Sequence, residues 1–212
     1  MSIIVIDPGH GGDAKIGGSS PNNARGPSGL LEKNATLAIA RRLVPVLGAQ
    51  GHTVLLTRDG DVNLGLAARA HVARDRKADA FVSIHFNGFN GRTQGTETFV
   101  HARSSAPSTA LAKLVQQFLL AVTEYPDRGV KRAEFGVLSP AQHHAATAAC
   151  LVEVSFMDVP QEDQRLHQDA YQDGIAEGLA AALRAYSQHA FAIDFAAAPT
   201  DAPEDGYEEL VR

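Results

Sequence analysis

The 212-residue chain has a single cysteine, Cys150. It therefore closes no internal disulfide and builds no thiolate-rich structural metal site, and it leaves the redox compartment open. No run of 18 apolar residues occurs, so hydropathy excludes a helical membrane span. An excess of one charge is missing from the body as well. The formal net charge is −5, but six of the 24 acids and one of the 19 bases lie from Ala190 onward, which leaves 18 of each sign in residues 1–189. A neutral body offers no electrostatic case for nucleic acid or an anionic membrane. Several reaction signatures are also absent. No serine sits in G-x-S-x-G, so the nucleophile elbow of a serine hydrolase is missing. There is no H-E-x-x-H of a helix-borne zinc protease, and the glycines after His10 spell neither a dinucleotide-binding nor a Walker loop.

What is present is a chain of single-domain size, able to bury about 70% of its unfolded surface. Ile3, Ile4, Val5 and Ile6 suit a strand buried on both faces, and Asp7, Pro8 and Gly9 stop it. His10 therefore sits just past a strand end, where ligand sites gather in an open parallel sheet. Gly11–Gly29 reads as a long loop. Leu31–Gln50 reads as a helix with Leu37, Ala40, Leu43, Val44 and Leu47 at helical spacing; Glu32 in its first turn suits the helix dipole. His52–Thr57 is a second buried strand, and Leu64–Lys77 a second helix. The stretch ADAFVSIHFNG is a third strand in which Phe81, Val82 and Ile84 precede His85, placed as His10 is on the first.

Further on, Thr96–His101 reads as a strand at a sheet edge, Ala106–Val122 as an amphipathic helix and Tyr125–Phe135 as a polar turn region. Ala149–Val154 is a last buried strand interrupted by an acid. Burying the Glu153 carboxylate among Leu151, Val152 and Val154 is costly unless a cation or donor meets it; the competing reading is a strand whose polar face meets solvent. Cys150 in the same strand reads as inert packing. Gln161–Gln188 closes the body as one long helix, and residues 190–212 read as an acidic, Ala/Pro-rich tail. The expected fold is α/β, a single domain with a twisted, mostly parallel sheet of about six strands flanked by helices on both faces.

In such a sheet His10, His85 and Glu153 all emerge at or near strand ends, and Glu32 opens the helix after the first strand. Two imidazoles and a carboxylate with an open fourth position form the pattern of a catalytic zinc site. Zinc would lower the pKa of a bound water to about 7 and polarise a carbonyl. A second carboxylate beside that water completes the kit for amide hydrolysis.

Taken together, VIDPGHGG, LLEKNATLAIARRL, the Leu66, Arg69, Ala73 and ADAFVSIHFN block, RGVK (Arg128–Lys131) and LVEVSF followed by QEDQRL resemble the zinc-dependent N-acetylmuramoyl-L-alanine amidases of bacterial cell walls and phage lysins. The resemblance implies cleavage of the amide joining the lactyl group of N-acetylmuramic acid to L-alanine of the stem peptide. By position it implies that His10, Glu32 and His85 hold Zn2+ and that Glu153 is the general base and acid. It places the action in the cell wall or periplasm. No secretion signal precedes the first strand, so export is expected by lysis, by a dedicated machine, or on a signal since removed.

Some positions depart from that pattern. The family commonly has Glu-Thr-Gly-Phe and then Ile-Ser-Asn where this chain has Glu153-Val154-Ser155-Phe156 and Met157-Asp158-Val159, and a Met-Pro pair where it has Thr147-Ala148. These differences bear on groove shape more than on chemistry. The tract from Phe86 to Arg128 is too short for the extra helical segment that blocks some division amidases, so an enzyme needing no activator protein is expected. Two other readings stand beside this one: a non-catalytic module that binds stem peptides, and a zinc peptidase acting within the stem.

Overall fold

The computed structural model describes residues 1–197. Six strands form one sheet: β1 (Ile3–Pro8), β2 (Thr53–Leu56), β3 (Ala80–Asn87), β4 (Thr96–His101), β5 (Asp127–Ala133) and β6 (Ala148–Phe156), in the order β2-β1-β3-β6-β4-β5. β2, β1, β3 and β6 run parallel, β4 is antiparallel to β6, and β5 is parallel to β4. The helices are α1 (Glu32–Ala49), α2 (Leu66–Asp75), α3 (Ala106–Thr123), α4 (Pro160–Leu166) and α5 (Asp169–Ala197), with short 3-10 turns at Gly136–Leu138 and Pro140–Gln142.

The period-two alternation of the strands sorts their side chains onto two unequal faces. Ile4, Ile6, Val82, Ile84, Cys150, Val152 and Val154 pack under α1, α3 and α5 in the larger core. Val5, Phe81, Ala149 and Leu151 face α2 and the 3-10 turn in a smaller one. The second layer stops short of the strands' carboxyl ends. Asp7, Ser83, His85 and Glu153 continue the parity of the thinner face; Asp7 and Ser83 are buried there, while the half-buried His85 and Glu153 reach the part left open. β1 steps to β2 on one side and the chain returns to β3 on the other, so the ends of β1 and β3 mark the reversal of strand order where open α/β sheets form their crevice.

Several expectations need correction. β4 is internal, between β6 and β5; its Thr96 and Thr98 hydroxyls are satisfied by Thr123, the Val154 carbonyl and Gln116, so polar alternation here reflects buried hydrogen bonding. The edge on that side of the sheet is β5, in the tract expected to be a turn region. Its polarity is that of an exposed edge strand. The closing helix is two helices: α4 turns inward to bury Glu162 against Ser155, Tyr125 and Tyr171, and α5 restarts at Asp169 to lie along α1 and α3. The expected tail begins at Ala190, but α5 continues to Ala197; positions 198–212 lie outside the described residues.

Candidate metal centre

The site begins where β1 ends. Asp7 is buried and accepts hydrogen bonds from Thr57 Oγ1 at 2.5 Å, Ser83 Oγ at 2.6 Å and Arg69 Nη1 at 2.8 Å. Burial alone would push its carboxyl up, but the Arg69 guanidinium and the two hydroxyls outweigh that and hold it low. Arg69 also donates to the carbonyls of Pro8 and His10, and Arg58, likewise buried, donates to those of Pro8 and Gly9. Two guanidiniums thus grip three successive carbonyls, and His10 is held in the left-handed region at φ 62°. A non-glycine residue there persists only where its surroundings over-determine it.

His10 Nδ1 lies 3.0 Å from the Ser20 carbonyl and donates its proton there, which leaves Nε2 with the lone pair. That Nε2 is 3.0 Å from Glu32 Oε1, yet it is buried and makes no hydrogen bond. His85 Nδ1 lies 3.0 Å from the same oxygen. Gly9 makes room for this arrangement: a Cβ on it would sit 2.4 Å from His85 Cε1. Glu32 opens α1 without a side-chain cap before it, and its carboxylate turns back to take the amides of Ala24 at 2.9 Å and Phe86 at 3.1 Å. Burial opposes its ionisation, but the two histidines hold its pKa below the usual carboxylate range. The same carboxylate pushes His10 up against the lowering effect of burial. The three ligand atoms lie within 4.8 Å of one another.

Glu153 stands on β6 directly across from His85. It is half-buried, and its Oε2 is shielded and without a hydrogen-bond partner. Burial first, then the charges of Glu32 and Glu97, push its pKa well above the usual range. Glu97 is its cross-strand neighbour on β4. That acid accepts from Arg128 Nε at 2.7 Å, from Asn87 Nδ2 at 2.9 Å and, in a short contact, from Lys131 Nζ. These donors keep it ionised despite burial. The RGVK stretch therefore meets the site through Glu97, a residue the sequence reading passed over although it carries the signal of Glu153, an acid inside a strand. Arg58 and Asp7 were also missed, for their partners lie some 50 residues or more away in sequence.

All four residues expected at the site are together. The cleft around them has two lobes that share Asn23, His85 and Glu153. One, of about 180 Å³, is walled by Leu66, Phe135, Val137 and Leu151. The other, of about 430 Å³, is lined by Arg25, Asn87, Phe89 and Asp158. The unpartnered His10 Nε2 and an N, N, O donor set without sulfur fit a bound metal ion, zinc among those that take such ligands.

The sequence profile of one family, described as N-acetylmuramoyl-L-alanine amidase, matches residues 4–185. The chain is 36% identical over 173 residues to N-acetylmuramoyl-L-alanine amidase CwlM of Bacillus licheniformis, covering 81% of this chain and 63% of that protein. The fold superposes on the catalytic domain of the amidase CwlV from Bacillus (Paenibacillus) polymyxa var. colistinus with a TM-score of 0.78 and 30% identity, over 89% of this chain and 99% of that one. For an N-acetylmuramoyl-L-alanine amidase from Clostridium difficile 630 the TM-score is 0.79 at 31% identity, over 88% and 97%. The chain thus spans less than two thirds of the curated relative's length but nearly all of each solved domain.

Proposed function

Since the chain belongs to the N-acetylmuramoyl-L-alanine amidase family, we propose that it is a zinc-dependent peptidoglycan hydrolase that cleaves the amide between the lactyl group of N-acetylmuramic acid and L-alanine of the stem peptide. The observation that carries this reading is the convergence of His10 Nε2 and His85 Nδ1, each 3.0 Å from Glu32 Oε1, beside a carboxyl group held across the strand pair. His10, Glu32 and His85 would hold the Zn2+ ion, which would supply Lewis-acid chemistry toward a carbonyl and lower the pKa of a water to about 7.

The protein's own residues do the rest. The Ser20 carbonyl and the two guanidiniums under the β1 loop fix the tautomer and direction of His10. Glu32 is kept ionised by the imidazoles and by two backbone amides. Glu153, at the junction of the two lobes, is placed to take a proton from the attacking water and return it to the leaving nitrogen of L-alanine. An upward-shifted carboxyl suits both halves of that transfer, because it is a better base than a free carboxylate and a ready acid afterwards. The catalytic unit on this reading is the α/β body with α5 included, and it acts on the wall outside the cytoplasm. An ungated site is supported by the short β3–β4 connection at the cleft and by α3, which packs on the opposite sheet face.

The test is digestion of purified sacculi by zinc-loaded protein alone, with mass spectrometry of the products. Sugar-free peptides beginning in L-alanine are expected, and chelation abolishes them. Shortened stems would make it a peptidase, intact material a binding module, and strict dependence on a second protein would overturn the ungated site.

A further inference from the structure

The wider lobe holds a group that amide cleavage itself does not use. Arg25 lines it together with Asn23, Asn87 and Phe89. Among the described residues, it is the one arginine or lysine of either lobe with no acidic partner; Arg69, in the other lobe, is tied to Asp7. Its loop is rigidly held. Ala24 N donates to the Glu32 carboxylate, Gly26 N to the Leu30 carbonyl at 2.9 Å, and the Ser28 amide and hydroxyl each to Asp163 at 2.8 Å. Gly26 leaves no space for a side chain, since a Cβ there would fall 1.9 Å from Asp163 Oδ1, and the Arg25 guanidinium lies over Gly29. The backbone that carries Arg25 is thus fixed one residue from the amide that orients Glu32, and its exposed side chain borders the wider lobe without an acid to hold it.

Charge decides which part of the substrate meets it. Once the lactyl carboxyl is in amide linkage, the sugar is neutral, whereas the stem peptide carries carboxylates. The first of these belongs to the second stem residue, about 7 Å along an extended chain from the scissile nitrogen. Glu153 and Asp158 also line this lobe, so an anion entering it is stable only where a cation meets it. The narrower lobe, walled by apolar side chains, offers no such group.

We propose that Arg25 is a specificity-determining residue: its fork binds the α-carboxylate of the D-glutamate at stem position two and so directs the stem peptide into the wider lobe. This rests on the amidase reading above. Two synthetic N-acetylmuramyl tripeptides, L-Ala-γ-D-Glu-L-Lys and its D-isoglutamine counterpart, differ only in that carboxylate. With zinc-loaded wild-type protein the acid is expected to be cleaved with a KM roughly tenfold lower than the amide's. R25Q is expected to raise KM for the acid to that of the amide, with kcat and the amide's KM little changed, and R25K to fall between, because an ammonium lacks the planar fork. A preference that survives in R25Q, or none in the wild type, overturns the proposal while leaving the amidase intact. Cleavage of neither tripeptide by the wild type overturns both.

Discussion

Gly9 isolates the geometry of the metal centre from the stability of the fold. A Cβ added there would lie 2.4 Å from His85 Cε1, 2.5 Å from Nε2 and 2.7 Å from Nδ1. Ordinary carbon contacts begin near 3.5 Å, so the imidazole must retreat by about 1 Å. Metal–ligand distances tolerate about 0.2 Å, and β3 is interior to the sheet, so the ring gives way and the strand stays. For Gly9→Ala the expected outcome is a loss of zinc affinity of at least about 100-fold, or roughly 2.7 kcal/mol, with the apoprotein still folded. The assay is titration of the apoprotein with zinc against a competing chelator, beside thermal unfolding of the metal-free form. Gly48→Ala is the control: nothing lies within 4 Å of that Cβ inside α1, and the change is expected to stabilise by about 0.5–1 kcal/mol with zinc binding untouched. A Gly9→Ala protein that binds zinc within about threefold of the wild type would refute the steric argument.

Other expectations follow from the same site. Glu153→Gln should retain zinc while lowering kcat by about 10²–10⁴, measured as muropeptide release; a variant of normal rate would remove Glu153 from the chemistry. Arg69→Met strips the buried Asp7 of its charge partner and should cost about 3–5 kcal/mol in urea unfolding of the apoprotein, whereas a loss under 1 kcal/mol would show that the pair is not what holds the β1 loop. The pKa of His10 is raised above its ordinary 6.5 by Glu32, so its contribution to apoprotein stability is full below that value and is lost as pH rises through the raised pKa. Zinc needs the neutral ring, so the zinc-induced rise in Tm should grow over the same window. A rise independent of pH between about 5.5 and 8 would contradict the His10–Glu32 contact.

Much of the fold was legible in the chain because the signals were local. The apolar runs of β1, β3 and β6 and the glycine and proline stops after them mark buried parallel strands, and His10, His85 and Glu153 could be located at their ends by counting along each strand. The misread elements share one cause. β4 and β5 look polar for opposite reasons, one because its hydroxyls find buried partners and the other because it faces water, and periodicity does not distinguish them. The break at His167–Gln168 follows from Glu162 being drawn inward, a demand made by Ser155, Tyr125 and Tyr171 on other elements.

The amino-acid sequence by itself determined the strand ends and which residue types stand on them, since strand and turn propensities act over a few neighbours. Only the tertiary structure decided that Glu32 would reach both imidazoles, that Arg58 and Arg69 would hold the loop beneath His10, and that Glu97 would tie the RGVK stretch to Glu153. Those contacts join residues tens of positions apart, and no short-range preference specifies them. They exist because burying the two apolar faces of the sheet leaves these polar groups nowhere to be satisfied except with each other.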